Sequence, residues 1–209
     1  MDEAEARNVT NLMPVEPVTL AGRAMRLEPL APAHHTELIA AVQDGELWRH
    51  WYTTAPEPQN MTAEIERRLG LLAEGSMLPF TIFGGAQGHA VGMTSFMAID
   101  RKHFRVEIGS TWIARSVQRT ALNTEAKLVL LTHAFETLGC VAVELRTHAL
   151  NFQSRSAIER LGAKLDGILR NHQRARNGTL RDTCVYSIIQ SEWPTIRAHL
   201  EWQLAMPRT

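Results

Sequence analysis

Between residues 79 and 148 the spacing of apolar residues runs at two, then near 3.6, then at two again. Only strands, then a helix, then a further strand satisfy such a pattern. PFTIFG, HAVGMTSFMAID and FRVEIGSTWIA are strand-like runs, and GGAQG and DRKH between them have the lengths and residue types of hairpin connections. A three-stranded antiparallel meander is predicted. The loop RSVQRT then opens a long amphipathic helix ending at Gly139, with Leu128, Leu131, Phe135 and Leu138 on its inner stripe, and CVAVELRTH returns as a strand. A short helix from Asn151 to Leu161 is stopped by Gly162, and AKLDGILRNHQ and LRDTCVYSII are two further strands flanking an ARNG turn.

Ahead of the meander, RAMRLEPL reads as a strand and Pro32 starts a helix with Leu38, Ile39 and Val42 on one face. An aromatic cluster follows at Trp48, Trp51 and Tyr52, then a second helix with Ile65, Leu69 and Leu72 at helical spacing and Gly75 as its stop. Residues 1–19 read as a flexible arm, 20–190 as one domain, and 191–209 as a C-terminal helix, capped by Ser191, with its tail.

Charge narrows the function classes. The 209 residues hold 22 Lys+Arg against 22 Asp+Glu, which excludes a polybasic protein built mainly to bind nucleic acid. The neutrality hides an asymmetry: residues 1–75 carry twelve acids and six bases, while 146–181 carry eight bases and only Glu159 and Asp166 as acids. That basic stretch is either a solvated face or the seat of an anionic ligand; RNA or DNA is a third option, one that salt would expose. The longest strongly apolar run, Leu128 to Leu131, is far short of the roughly 20 residues of a membrane span, and MDEAEA is the wrong flank for a signal peptide. A soluble cytoplasmic protein is expected. Cys140 and Cys184 are too far apart for a CxxC pair and read as buried thiols, and no HxxxH or HEXXH occurs, so no metal is expected.

The order of these elements, with STWIARSVQRTALNTEAKLVLLTHAFETLG and then NFQSRSAIERLG, resembles the GCN5-related N-acetyltransferase (GNAT) superfamily, and within it the RimJ/RimL-like ribosomal-protein acetyltransferases. The resemblance covers about residues 20–190. It implies an α/β domain of the α+β type, with a mixed, mostly antiparallel sheet flanked by helices and splayed between its fourth and fifth main strands. It implies acetyl-CoA as co-substrate. The family's pyrophosphate loop, Q/R-x-x-G-x-G/A, falls on Gln118, Ala121 and Asn123, so Arg119, Thr120 and Leu122 would share the helix start that receives the diphosphate. Ala121 stands where the family has glycine, which a negative φ would permit. Trp112, Ile113 and Ala114 would line the cofactor from the strand, with a backbone N–H near Trp112 or Ile113 polarising the thioester. Asn151 would contact the pantetheine arm and Ser154 would lie near the thiol; Asn151 also reads as a plain helix cap, and both readings hold together. Ile158 occupies the place where many relatives carry a tyrosine acid, which leaves Ser154 or water to protonate the thiolate.

An acceptor ammonium must lose its proton before it attacks. Glu107, an acid in a central strand, is the candidate base; period two places it on one face with Gly109 and Thr111. The competing reading pairs it with Arg105 or Arg146. His148 is the alternative base, and Trp48, Trp51, Tyr52 and His148 are expected around the acceptor. Expected partners are an amine substrate, with a protein N-terminus among the options, and a second copy of the chain, but neither membrane nor nucleic acid. The rival to an acetyltransferase is a non-catalytic acyl-CoA sensor.

Overall fold

A computed structural model describes residues 13–175 and 177–206. The meander is β3 (Met77–Gly84), β4 (His89–Asp100) and β5 (Arg105–Ile113). Ahead of it lie β1 (Leu20–Ala21) and β2 (Arg26–Pro29); after it come β6 (Ala142–His148), β7 (Lys164–Arg174) and β8 (Leu180–Ile189). They form one sheet in the order β1-β2-β3-β4-β5-β6-β8-β7. β3 is buried along its whole length, as its unbroken MLPFTIFG run requires of a strand covered on both faces, whereas β7 is an exposed edge rich in charge.

The helices are α1 (His35–Gln43), α2 (Met61–Ala73), α3 (Leu122–Thr132, prolonged by a π-helical turn to Thr137), α4 (Phe152–Arg160) and α5 (Trp193–Ala205). Two covered faces follow from contacts. His34, just before α1, meets Thr81 Oγ1 at 2.8 Å, and Arg68 of α2 donates to Ser95 Oγ, so α1 and α2 lie on one face. On the other, Lys127 of α3 donates to Thr111 Oγ1 and His133 lies 6.1 Å from the Phe96 ring; α5 packs behind α3 by stacking Trp193 on Phe135 at 5.3 Å.

Every neighbouring pair is antiparallel except β5 and β6, which run parallel and pair only at Arg105–Ala142, Val106–Val143 and Glu107–Glu144. Beyond Glu107 the two strands part, at the position the resemblance implied. A second irregularity lies on β5. Met93 faces Trp112 but Ser95 faces Gly109, so Ser110 and Thr111 together oppose Thr94, and Ser110 takes a φ of +49°. One residue is therefore extra, and every side chain after it changes face.

The described parts of both flanking segments join the core. Residues 1–12 of the predicted arm lie outside the described residues, but Met13 is wholly buried, its sulfur 3.5 Å from Cys140 Sγ and its carbonyl bonded by Arg101. The segment from Met13 to residue 19 therefore contributes to the body. Trp193, Ile196 and Leu200 are likewise buried, which joins α5 to the same core. Both cysteines are buried thiols. Among the described residues no helix is long and apolar enough to cross a membrane.

Candidate active site

A cavity of about 1050 Å³ opens where β5 and β6 part. Its floor at the point of separation is Glu107, 8 % exposed. A side chain at Gly109 would meet Glu107 Oε1 at 2.7 Å, so the missing Cβ is what gives the carboxylate its place. Arg146 stands 3.5 Å from Glu107, but its short bonds, 2.7 and 3.0 Å, go to Glu144, which also accepts from Arg105. Both expected partners thus belong chiefly to Glu144, and Glu107 is only loosely tethered. Burial pushes the Glu107 carboxyl above the usual carboxylate range; Arg146 opposes the shift, Glu144 adds to it and Arg181 opposes it.

Period two fails for Thr111. The bulge at Ser110 sends Thr111 to the α3 face, where it bonds Thr94 Oγ1 at 2.8 Å and Lys127 Nζ at 3.0 Å, while Glu107 and Gly109 stay on the α1/α2 face. Arg68 pins this bulge. Its guanidinium, 1 % exposed, donates to Ser95 Oγ and to the Ser110 carbonyl, both at 3.1 Å, and to Glu64 at 2.6 Å. The local residue pattern carries no sign of either feature, because Ser110 lacks a bulge glycine and Arg68 sits in a charged helix.

The start of α3 forms the far wall. The left-handed turn falls on Arg119, φ +60°, whereas Ala121 has φ −67°, so alanine carries no strain where the family has glycine. Arg119, Thr120 and Asn123 line the cavity. The first N–H groups of a helix lack intrahelical partners, so this end favours an anion. Ala114, Ala121 and Leu122 are not in the lining: Ala114 and Leu122 are buried in the core, and only the backbone of Ala121 and Leu122 serves the helix start. Gln118 lines the cavity but spends its amide N–H on the Ile113 carbonyl, and Gln153 bridges to it from α4 across the gap. Gly45, φ +91°, lets the α1 end press against Arg115, whose Cβ would lie 2.5 Å from any Cβ placed there.

On the β6 side Asn151 caps α4, its Oδ1 accepting from Ser154 N at 3.0 Å, and among the described residues its amide nitrogen has no partner. Ser154 and Ile158 line the same space. His148, 5 % exposed, accepts the Leu150 N–H at Nδ1, so the neutral ring carries its proton on Nε2. Burial pushes its pKa down, Arg181 adds to this and Asp182 opposes it. In this tautomer the outward nitrogen is a donor. Of the aromatic cluster, Tyr52 lines the cavity and Trp51 stands edge-on to His148 at 5.0 Å, but Trp48 packs against the core outside the lining. Arg181 and Lys127, neither anticipated, are also in the lining. Lys127 had a signal: it interrupts the apolar inner side of α3 between Ala126 and Leu130.

A mostly antiparallel sheet splayed at a parallel pair, with a helix start facing the gap, is the frame that the resemblance to the GNAT acetyltransferases implied. The GNAT acetyltransferase domain matches residues 24–164, and the chain belongs to that family. It is similar to a GCN5-related N-acetyltransferase from Brucella melitensis, 31 % identical, with 93 % of this chain and 89 % of that one covered and a TM-score of 0.81. A candidate acetyltransferase from T. thermophilus is 35 % identical over 92 % of this chain and 100 % of that one, with a TM-score of 0.79. Mycobacterium smegmatis RimJ in complex with CoA-disulfide shares the fold, with a TM-score of 0.76 at 19 % identity over 90 % of this chain and 95 % of that one. No curated protein matches the sequence. The protein is an N-acetyltransferase, and its family uses acetyl-CoA.

Proposed function

We propose that this enzyme moves an acetyl group from acetyl-CoA to a primary amine by direct transfer in a ternary complex. The observation that carries the reading is one cleft with two chemistries: a helix start facing it from the α3 side and a buried, loosely held carboxylate, Glu107, on the α1/α2 side. Acetyl-CoA, when bound, supplies the acetyl group as an activated thioester. The residues present suit it. Arg119, Thr120, Asn123 and the N–H groups of the α3 start would hold the diphosphate. The backbone at Trp112 and Ile113, just past the bulge, and the amide of Asn151, which has no partner among the described residues, would hold the pantetheine arm. Ser154, whose hydroxyl has no partner among the described residues, is the proton donor on the α4 side, since Ile158 supplies no phenol.

Glu107 then takes the proton from the acceptor ammonium, directly or through one water, and its raised pKa brings the carboxylate closer to the basicity this task needs. Thiol release from acetyl-CoA with a panel of primary amines tests the reading. Glu107→Gln keeps the shape of the side chain and should lower the rate roughly 10²–10⁴-fold, with CoA affinity unchanged. A rate per folded molecule equal to the wild type would return Glu107 to a structural ion pair, and CoA binding without thiol release by the wild type for any amine would favour a sensor.

A further inference from the structure

Among the described residues only two buried side-chain nitrogen or oxygen atoms lack a hydrogen-bond partner, Trp112 Nε1 and His148 Nε2. Both are N–H donors, since the indole nitrogen can only donate and the His148 proton sits on Nε2. Both residues line the same cavity. A buried donor left unpaired is costly, so two that face one cleft are suited to the oxygen atoms of whatever occupies it, solvent or ligand.

Register places them together. Trp112 pairs with Met93, which also faces Thr81, the residue bonded by His34 beside α1. His148 lies two alternations beyond Glu144, which pairs with Glu107. Both rings are therefore on the α1/α2 face with Glu107, on opposite sides of the gap. Arg181 completes the set. It shares this face through Thr183, which pairs with His148 and accepts from Arg181 Nε at 3.0 Å. Among the described residues no carboxylate lies within ion-pair distance of Arg181, which acts on Glu107 only at longer range, and its two terminal nitrogens have no acceptor there. Arg105 and Arg146, by contrast, are engaged by Glu144. The α3 start that suits the diphosphate is on the opposite side of the sheet, so these donors are not needed there.

We infer that this end of the cleft binds an acceptor amine that also carries a carboxylate, with Arg181 and the His148 and Trp112 N–H groups receiving the carboxylate while Glu107 faces the ammonium. The inference deepens the N-acetyltransfer reading and rests on it. It singles out small amino-acid-like acceptors over polyamines, which lack the anion, and over peptide N-termini, which present a neutral amide in its place.

The test compares the proteinogenic L-amino acids with their carboxamides and with the corresponding decarboxylated amines, measured as thiol release. At least one amino acid should be preferred over its amide by roughly tenfold or more in kcat/KM. Arg181→Met should erase that ratio through KM while CoA affinity is retained, and Arg181→Lys should restore part of it. Equal use of acids and amides, a preference for a peptide N-terminus, or an Arg181→Met loss that falls equally on both would overturn the proposal. A second arm does not depend on turnover: N-acetyl amino acids should raise the thermal midpoint of the CoA-loaded protein, and N-acetyl amino acid amides should not. If no amine is acetylated yet the acids still stabilise, the transfer reading fails and the carboxylate site stands; if neither set stabilises, the site is refuted.

Discussion

Lys127 is the residue whose environment departs furthest from what its chemistry prefers. It is 6 % exposed, its ammonium has one hydrogen bond, to Thr111 Oγ1, and among the described residues no carboxylate pairs with it. Burial lowers its pKa from 10.5 to about 7. The sign of the stability effect follows. Between about pH 7 and 10.5 the unfolded chain holds a proton that the native protein has released, so stability rises with pH across that window; below about 7 both states are charged and the whole cost of burying the ammonium is present. Lys127→Met keeps the volume and removes the charge, while Thr111 retains Thr94 as a partner. The variant should be more stable than the wild type by roughly 2–4 kcal/mol at pH 6, with the gap closing towards pH 10. Guanidinium unfolding of both proteins at the two pH values measures it, and a difference independent of pH would mean that the amine is not buried as described. Burial acts on Glu107 in the opposite sense, raising the pKa of its carboxyl, and the two groups lie on opposite sides of β5, Lys127 reaching it from α3.

At the scale of elements, the opening of α3 combines two demands that one substitution can separate. Asn123 is the second residue of the helix and lines the cavity. Asn123→Asp places a carboxylate where the helix dipole stabilises it, a gain of roughly 0.3–1 kcal/mol, and where a diphosphate would meet a like charge. The variant should melt slightly higher and bind CoA at least roughly tenfold more weakly; calorimetry should show the two effects with opposite signs, and unchanged CoA affinity would move the diphosphate elsewhere. The sequence announced this helix start, the meander and the Asn151 cap because each rests on local periodicity or on a capping side chain. It did not announce the bulge. Ser110 adopts a positive φ without glycine and is held by Arg68 from another element, a contact 42 positions away that no local pattern encodes. The face of Thr111 was misread for that reason alone, and Trp48 because an aromatic cluster suits a core as well as a rim. Arg181 was passed over as one base in a basic stretch; only the register of β6 and β8 sets it beside His148.

At the scale of the whole molecule, the described residues form an eight-stranded sheet whose two halves share a ladder of three residue pairs between β5 and β6. Beyond Glu107 the facing edges of the two strands have no ladder to each other, and the cavity of about 1050 Å³ occupies the space between them. A ligand arm laid along that gap would supply the hydrogen bonds the strands do not exchange and would bridge β1–β5 to β6–β8. Such a ligand binds only the native arrangement, so it stabilises by mass action: at a hundred times its Kd the gain is about 2.7 kcal/mol, which for a domain of this size raises the thermal midpoint by roughly 5–10 °C. Acetyl-CoA should therefore shift the midpoint, and the shift should keep growing with the logarithm of its concentration. Hydrogen exchange should slow at the β5 amides from Ser110 to Ile113 and around Asn151, and remain unchanged on the exposed edge strand β7. A midpoint unmoved by millimolar CoA would remove the cofactor from this cleft. Stabilisation with protection confined to β1–β4 would place the ligand on the meander half alone, and the parted strands would then be a feature of the fold without a binding role.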